Sequence, residues 1–145
     1  MAKMNSKIIK EIAGSLDCGE DCYLNRKTGE LICIPNFSNF GYDEDFEAVF
    51  EDDTKKVAQH PKDFIKFEVL ESFESFKIME SFVESITENQ FRLDLERILQ
   101  RKKPFQNFKH AVESSKHRQV WFDFKRKELE KIVGDQFERE FLKDS

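Results

Sequence analysis

The sequence predicts an α+β fold in which a small antiparallel sheet, a β-hairpin plus one further strand, packs with about five helices. Two β-rich runs flank a glycine turn near the N terminus. In the segment that begins at residue 64, apolar side chains alternate with charged ones. From residue 72 onward, apolar residues recur at helical spacing, so the C-terminal half is expected to be all-helical. Because 145 residues is close to the usual size of one domain, we expect residues 1–145 to form a single domain.

Composition argues against wholesale disorder and against a membrane protein. Hydrophobic residues make up 39% of the chain and charged residues 37%, and 16 phenylalanines supply much of the apolar mass. No run approaches the ~18 apolar residues that a membrane helix needs. The start of the chain lacks the pattern of a signal peptide, and an odd count of three cysteines suits a reducing compartment. A cytoplasmic protein without membrane association is expected.

The first predicted elements are a helix and a hairpin. The apolar residues between Ser6 and Leu16 lie on one helical face. The runs Cys22–Asn25 and Glu30–Ile34 then flank a four-residue loop whose last position, Gly29, adopts the left-handed conformation without steric cost. Pro35 is expected to end the second strand, because it has no backbone N–H to donate.

An acidic stretch follows the hairpin, with seven acidic residues among the eleven from Asp43 to Asp53. Phe46, Val49 and Phe50 share one helical face within it. We therefore expect a short acidic helix that packs a few rings and projects its carboxylates into water.

One more strand and a series of helices complete the prediction. The segment FIKFEVL, residues 64–70, alternates apolar and polar side chains and predicts a strand beside the hairpin. A helix is expected over roughly Ser72–Ile86, and the capping box TENQ, which begins at Thr87, starts the next one. Pro104 suits the first turn of the following helix, and the segment ESSK separates that helix from the last one.

Cys22 and Cys33 are predicted to be cross-strand neighbours. Counting outward from the hairpin loop sets Tyr23 opposite Ile32 and Cys22 opposite Cys33, which brings the two thiols within reach of each other. We expect both thiols to be reduced in the cell, and Cys18 to stay unpaired in any oxidised form. No metal ion is expected, since zinc takes four ligands and the sequence offers neither a second cysteine motif nor a histidine at matching spacing.

The sequence carries no recognisable enzyme motif. It contains no glycine-rich phosphate loop, no H-E-x-x-H and no G-x-S-x-G. A nucleophile and a base built from Cys22, Cys33, Glu80 and His117 would depend on tertiary contacts that spacing does not reveal. We expect a protein without catalytic activity and without a cofactor, and an enzyme with a site hidden from sequence is one alternative.

Two oppositely charged stretches are the candidate binding surfaces. Residues 97–127 hold ten cationic and two acidic side chains, although the whole chain has a net charge of −5. Such polarity suits a polyanion or an internally complementary surface. The residues offered to a polyanion are Arg101, Lys102, Lys103, Lys109, Lys125, Arg126 and Lys127. The acidic patch, offered to a basic protein partner, consists of Asp43, Glu44, Asp45, Glu47, Glu51, Asp52 and Asp53.

Aromatic rings decide between these two surfaces. Phe105, Phe108 and Trp121 share helical faces with aliphatic residues, so we expect them to be largely buried and the neighbouring cations to be exposed. Stacking on single-stranded bases requires exposed rings. The leading hypothesis is therefore a small macromolecule-binding or regulatory protein with a protein partner, and weak non-specific nucleic-acid binding through residues 97–127 is the alternative. The sequence leaves the oligomeric state open.

Four blocks of sequence carry a resemblance to a known family. They are YLNRKTGELI in the hairpin, FKIMESFVESI with the capped helix after it, PFQNFKHAV, and WFDFKRKELEKI near the end. In this order and spacing they resemble an uncharacterised family of small bacterial proteins, number 158 in the series of uncharacterised protein families. Members usually show Gly-Arg-Gly-Ala-Phe where this chain has Arg101 to Phe105, a stiffer and more basic turn. They also tend to have Trp-Tyr followed by x-Phe-Arg, where this chain has Trp121-Phe122-Asp123-Phe124-Lys125. The resemblance implies a small α+β fold of bacterial origin and no particular activity.

Overall fold

The computed structural model describes residues 6–36 and 44–143, and it confirms the predicted α+β class. Its described part divides into two compact units, one within residues 1–69 and 129–145 and the other within residues 70–128. The single domain inferred from chain length stays a prediction. Within the described ranges, no helix is long and apolar enough to cross a bilayer.

The first unit contains a three-stranded sheet and most of the short helices. Its elements are α1 (Ser6–Asp17), β1 (Glu20–Asn25), β2 (Leu31–Pro35), α2 (Glu44–Val49), α3 (Glu51–Gln59), a 3₁₀ turn (Pro61–Asp63) and β3 (Phe64–Phe67). The second unit contains α4 (Ser72–Ser85), α5 (Asn89–Leu99) and α6 (Pro104–Glu113). The last helix, α7 (Arg118–Lys143), supplies its first residues to the second unit and residues 129–143 to the first.

The hairpin forms as the sequence predicts. Gly29 has φ +78, and the side chain of Asn25 accepts hydrogen bonds from the backbone N–H groups of Lys27 and Thr28, at 2.8 and 3.0 Å. These local contacts set the register, which pairs Cys22 with Cys33. β3 lies antiparallel to β1 on its other side, so the strand order is β2-β1-β3.

Both faces of this sheet are covered by apolar residues. On one face Cys22, Leu24, Ile65 and Phe67 are buried, and α1 packs there, with Ile12 fully buried. On the other face Ile32, Ile34 and Phe64 form a buried cluster, against which Phe50 and Val57 of the acidic segment pack. Because both faces are covered, the small sheet has a core on each side.

Two sequence predictions for this unit were wrong in detail. The third strand ends at Phe67 and leaves Val69 half-buried, because the Val69 N–H donates to the side chain of Asp21 at 2.9 Å instead of continuing the ladder. Val49 was expected to pack on the acidic helix, yet 74% of its surface is exposed. The acidic segment breaks into α2 and α3 at Phe50, so Val49 is the last residue of the first helix and does not share a continuous helical face with Phe50.

An aromatic cluster organises the second unit. The Phe82 ring lies 6.4 Å from Phe108, 5.1 Å from Trp121 and 5.4 Å from Phe124, measured between ring centroids. Phe108 and Trp121 also meet edge to face at 5.0 Å. Such pairs are favourable beyond the area they bury, so these four rings tie α4, α6 and the start of α7 together.

Helix α5 does not begin with the predicted capping box. Its N-cap is Glu88, one residue after Thr87, and no side chain caps the helix there. The reciprocal capping box lies instead at the start of α4, where Glu71 accepts from the Glu74 backbone and the Glu74 side chain accepts from the Glu71 N–H. The TENQ pattern failed because the helix begins one residue later than predicted, and the Gln90 side chain donates to Asp94 at 3.0 Å instead of reaching back to Thr87.

Candidate functional site

Cys22 and Cys33 form a pair of neighbouring thiols in the sheet of the first unit. Their Sγ atoms lie 3.4 Å apart on directly opposed positions of β1 and β2. The Cys22 side chain is fully buried against α1, with its Sγ 4.0 Å from the carbonyl oxygen of Ile12. Cys33 is only half-buried, and its Sγ lies 3.5 Å from Ser15 Oγ. The predicted pairing is confirmed, and the redox state in the cell stays a prediction.

The contact between the sulfurs makes the two thiols chemically unequal. A hydrogen bond from the Cys22 thiol lowers the pKa of Cys33 to about 7, despite some opposing desolvation. The same interaction, together with burial, raises the pKa of Cys22. Thiolate is the reactive form of cysteine, so the pair holds one reactive sulfur and one buried proton donor.

The second unit has an open groove between α4 and α5 with a volume of about 410 Å³. Phe76, Val83 and Leu99 supply its apolar lining, and Glu80, Glu84 and Glu96 supply carboxylates. Sequence reasoning missed this groove, because it assigned the phenylalanine to core and the glutamates to solvent. The signal was present in the spacing, since positions 73, 76, 80 and 84 fall on one face of α4.

The predicted acidic patch lies on α2 and α3, and its described side chains are exposed. They are Asp45, Glu47, Glu51, Asp52 and Asp53, whereas the Asp43 and Glu44 side chains lie outside the described part. Glu51 pairs with Lys55 at 2.9 Å, and hydrogen bonding to Glu51 raises the pKa of Lys55. The exposed Val49 side chain lies among these carboxylates in sequence.

The predicted polyanion-binding residues divide between a bend and two helices. Arg101, Lys102 and Lys103 form the bend between α5 and α6 and are exposed, Lys109 is exposed on α6, and Arg126 and Lys127 are exposed on α7. Lys125 was expected to be solvent-exposed, but it is half-buried. Its Nζ lies 5.6 Å from the Trp121 ring centroid and 5.9 Å from that of Phe122, so the ammonium group lies over both rings.

Phe105 is the one ring of the basic segment whose predicted burial was wrong. Phe108 and Trp121 are buried as predicted, at 1% and 5% exposure, but Phe105 is 41% exposed. Pro104 starts α6, so Phe105 lies in its first turn, where it meets Phe76 edge to face with 6.2 Å between the ring centroids. An exposed ring therefore lies two positions after Lys103.

His117 belongs to a polar cluster at the turn between α6 and α7. Its Nε2 lies 3.2 Å from the Glu88 carboxylate, which Lys116 also contacts at 3.4 Å. The hydrogen bond with His117, followed by the Lys116 contacts, lowers the pKa of Glu88. Ser115 Oγ donates to the Val112 carbonyl oxygen at 2.7 Å, so this hydroxyl is already engaged. The cluster closes a turn, and Glu80 lies elsewhere in the same unit, in the groove.

Comparison with known proteins identifies a family and no individual relative. Residues 2–142 match the model of the Uncharacterised protein family (UPF0158). No curated protein and no solved structure matches the chain. Within the described residues, no group of three or more histidine, cysteine or acidic side chains is arranged to hold a metal ion.

Proposed function

The chain belongs to the Uncharacterised protein family (UPF0158), and we propose that it is a non-catalytic binding protein for a cationic, amphipathic segment of a protein partner. The binding site is the groove between α4 and α5. The observation that carries this proposal is the lining of the groove, in which apolar side chains and carboxylates alternate within about 410 Å³.

The lining matches a basic amphipathic helix on both of its faces. Helical segments dock by laying apolar anchors into a groove, and here the half-buried Phe76 and Leu99 offer the complementary apolar surface, to which the buried Val83 adds little. Carboxylates beside that surface raise the association rate of a cationic partner and disfavour acidic ones. Apolar contact then supplies affinity, and charge supplies selectivity.

Two carboxylates of the groove are available to pair with a cationic partner. Among the described residues, no ion pair engages Glu80 or Glu84, while Glu96 is 3.6 Å from Arg92 of the preceding turn. Lysine and arginine side chains of a partner would neutralise the charges of Glu80 and Glu84.

Phe73 extends the apolar surface toward the start of α4. It precedes Phe76 by three positions, so both side chains lie on one helical face, and 60% of its surface is exposed. The Nζ of Lys77 lies 5.8 Å from its ring centroid. A solvent-exposed phenylalanine beside an acidic groove is the kind of aromatic anchor that carries binding energy in protein interfaces.

The test uses a fluorescently labelled amphipathic peptide of leucine and lysine as the probe. Neutralising the groove with Glu80→Gln and Glu84→Gln is expected to weaken binding about tenfold, the loss expected when ~0.7 kcal/mol of attraction is removed at each of two partly exposed sites. The matched control is Asp52→Asn with Asp53→Asn, which removes the same charge from two exposed helical positions in the acidic patch on α3.

The pair of variants distinguishes the two acidic surfaces. If both double variants weaken peptide binding equally, the binding is general electrostatic attraction. If only the α3 variant weakens it, the peptide binds at the acidic patch predicted from sequence. Either result contradicts the groove. A truncation of the anchor, Phe73→Ala, is expected to weaken binding without changing its salt dependence.

Single-stranded nucleic acid is a second candidate ligand, and the exposure of Phe105 is the observation that favours it. The ring is 41% exposed beside the cationic bend of Arg101, Lys102 and Lys103. Cations that track phosphates next to a ring that stacks on bases form the usual surface for single strands. The predicted binding is weak, without sequence preference, and steeply dependent on salt.

A labelled oligonucleotide titration at low and physiological salt tests this candidate. Phe105→Leu removes the stacking ring and keeps the positive charge, whereas Lys102→Gln removes one charge and keeps the ring. Both are expected to weaken binding, and only the lysine variant is expected to reduce the salt slope. Binding that neither variant changes would exclude this surface.

A further inference from the structure

We propose that Cys22 and Cys33 form a dithiol site that reacts with low-molecular-weight disulfides and closes reversibly to an intramolecular disulfide. The substrates are small disulfides of the same chemical class as oxidised glutathione. This inference rests on the thiol pair in the sheet and is independent of the groove in the second unit.

The position of the pair in the ladder permits direct bonding. The Asn25 N–H donates to the Glu30 carbonyl oxygen at 2.8 Å, which marks those two residues as a hydrogen-bonded pair. Hydrogen-bonded and non-hydrogen-bonded pairs alternate along an antiparallel ladder. Three positions further along, Cys22 and Cys33 are therefore a non-hydrogen-bonded pair, with Cα atoms about 4.5 Å apart. This separation falls at the short end of the range that disulfides span.

The two sulfurs differ in access as well as in chemistry. Cys33 is half-buried, whereas Cys22 is fully buried beneath α1. An incoming disulfide can therefore reach only the Cys33 sulfur. The two sulfurs are 3.4 Å apart, so the Cys22 thiol can donate to Cys33 once Cys33 is ionised, and this interaction favours the thiolate of Cys33 at neutral pH.

The reaction is a pair of thiol–disulfide exchanges. The Cys33 thiolate attacks one sulfur of the small disulfide, forms a mixed disulfide, and releases the first thiolate, which takes up a proton from water. The Cys22 thiol then loses its proton to solvent, and its sulfur attacks Cys33 Sγ and expels the second thiolate. Two electrons pass from the protein to the small disulfide, and two small thiols are the products.

The closed form stays open to attack by small thiols. Disulfides with an exposed sulfur have more oxidising potentials than buried structural disulfides, and Cys33 is only half-buried. Excess small thiol is then expected to reopen the bond, so the site responds to the ratio of small thiol to small disulfide. A resting dithiol agrees with the reduced state predicted from the sequence.

The first test follows mass in the full chain with Cys18→Ser, which removes the exposed third thiol. Incubation with oxidised glutathione is expected to yield a protein two hydrogens lighter, with no retained glutathione, and excess reduced glutathione is expected to reverse it. A stable glutathione adduct with both cysteines present would overturn the proposal. Failure of any oxidation at these cysteines would overturn it as well.

The second test separates the roles of the two sulfurs. With Cys22→Ser in the same background, one glutathione is expected to remain trapped on Cys33. With Cys33→Ser, Cys22 is expected to stay unmodified because it is buried. Modification of Cys22 at a comparable rate would contradict the assigned order of attack.

A third test probes the interaction between the Cys22 and Cys33 sulfurs. It does not depend on disulfide formation. The rate of Cys33 alkylation by iodoacetamide, followed by peptide mapping, is expected to rise with a midpoint near pH 7, as the pKa of about 7 requires. Cys22→Ala removes the thiol donor, so the midpoint is expected to move up toward 9.0, the ordinary value. Cys22→Ser keeps a donor and is expected to retain most of the shift. An unchanged midpoint in the alanine variant would contradict the positioning role of Cys22.

Discussion

The carboxylate of Glu88 lies 3.2 Å from Nε2 of His117, whose imidazole ring stacks on Phe91 with a centroid distance of 4.5 Å. This contact joins the first residue before α5 to the turn between α6 and α7, 29 positions later in the chain. It fixes that turn against the start of the helix, where no side chain forms a cap hydrogen bond.

This contact predicts a pH-dependent contribution to stability. The pKa of Glu88 is lowered in the folded state, so its stabilising contribution is present above the unfolded-state pKa and is lost as the pH falls through the folded-state value. Glu88→Gln is expected to lower the melting temperature slightly at neutral pH, and the difference from the parent should vanish in acid. Thermal unfolding over a pH series measures it. Glu84→Gln, at an unpaired position, is the control, and a Glu88 effect that persists in acid would contradict the ion contact.

Lys103 carries backbone strain that glycine would relieve. It has φ +54 and is the only non-glycine residue with a positive φ in the described ranges. A side chain in this left-handed conformation costs about 1–2 kcal/mol, part of which the greater flexibility of unfolded glycine offsets. Lys103→Gly is expected to raise the free energy of unfolding by about 0.5–1 kcal/mol, measured by urea denaturation. Lys102→Gly removes the same charge without relieving a positive φ, and an equal gain from it would refute the strain.

The capping box of α4 predicts a difference between two polar residues. Glu71→Ala removes the side chain that accepts from the Glu74 backbone and is expected to cost about 1 kcal/mol of unfolding free energy. Thr87→Ala, at the cap that the sequence suggested, is expected to change it by less than about 0.5 kcal/mol. Denaturant titration of both variants measures the difference. A larger loss of unfolding free energy in Thr87→Ala than in Glu71→Ala would show that Thr87 caps a helix, as the sequence suggested.

Local chemistry explains which parts of the fold were predictable. The hairpin register follows from Gly29 and from the side chain of Asn25, both within a few residues of the turn, so counting along the sequence placed Cys22 opposite Cys33. The helix over α4 was equally predictable because its apolar residues repeat regularly. These features depend on neighbours in sequence, and the structure confirms them.

The features that failed depend on partners far along the chain. The N-cap of α5 is Glu88 instead of the predicted Thr87, and the Glu88 carboxylate contacts Lys116 and His117 of a later turn. The ring of Phe105 shares a helical face with buried residues, yet it lies beyond the end of the cluster that it was expected to join. Neither outcome follows from periodicity, because periodicity fixes a face of a helix and leaves open how much of that face is covered.

The groove was invisible for the same reason. Its lining combines residues of α4 with Glu96, Leu99 and Gln100 of α5, and only the packing of those helices brings them together. Sequence identified the apolar and charged positions one by one. Their chemical meaning as a joint surface for a cationic segment comes from the tertiary arrangement.

The measurement that tests the groove most directly is a nuclear magnetic resonance titration of the isotopically labelled full chain with the leucine and lysine peptide. Binding at the groove predicts saturable shift changes concentrated on Phe76, Val83 and Leu99 and on their helical neighbours, with α3 unaffected at physiological salt. Shift changes confined to the acidic residues of α2 and α3, or spread evenly over every exposed carboxylate, would contradict the account.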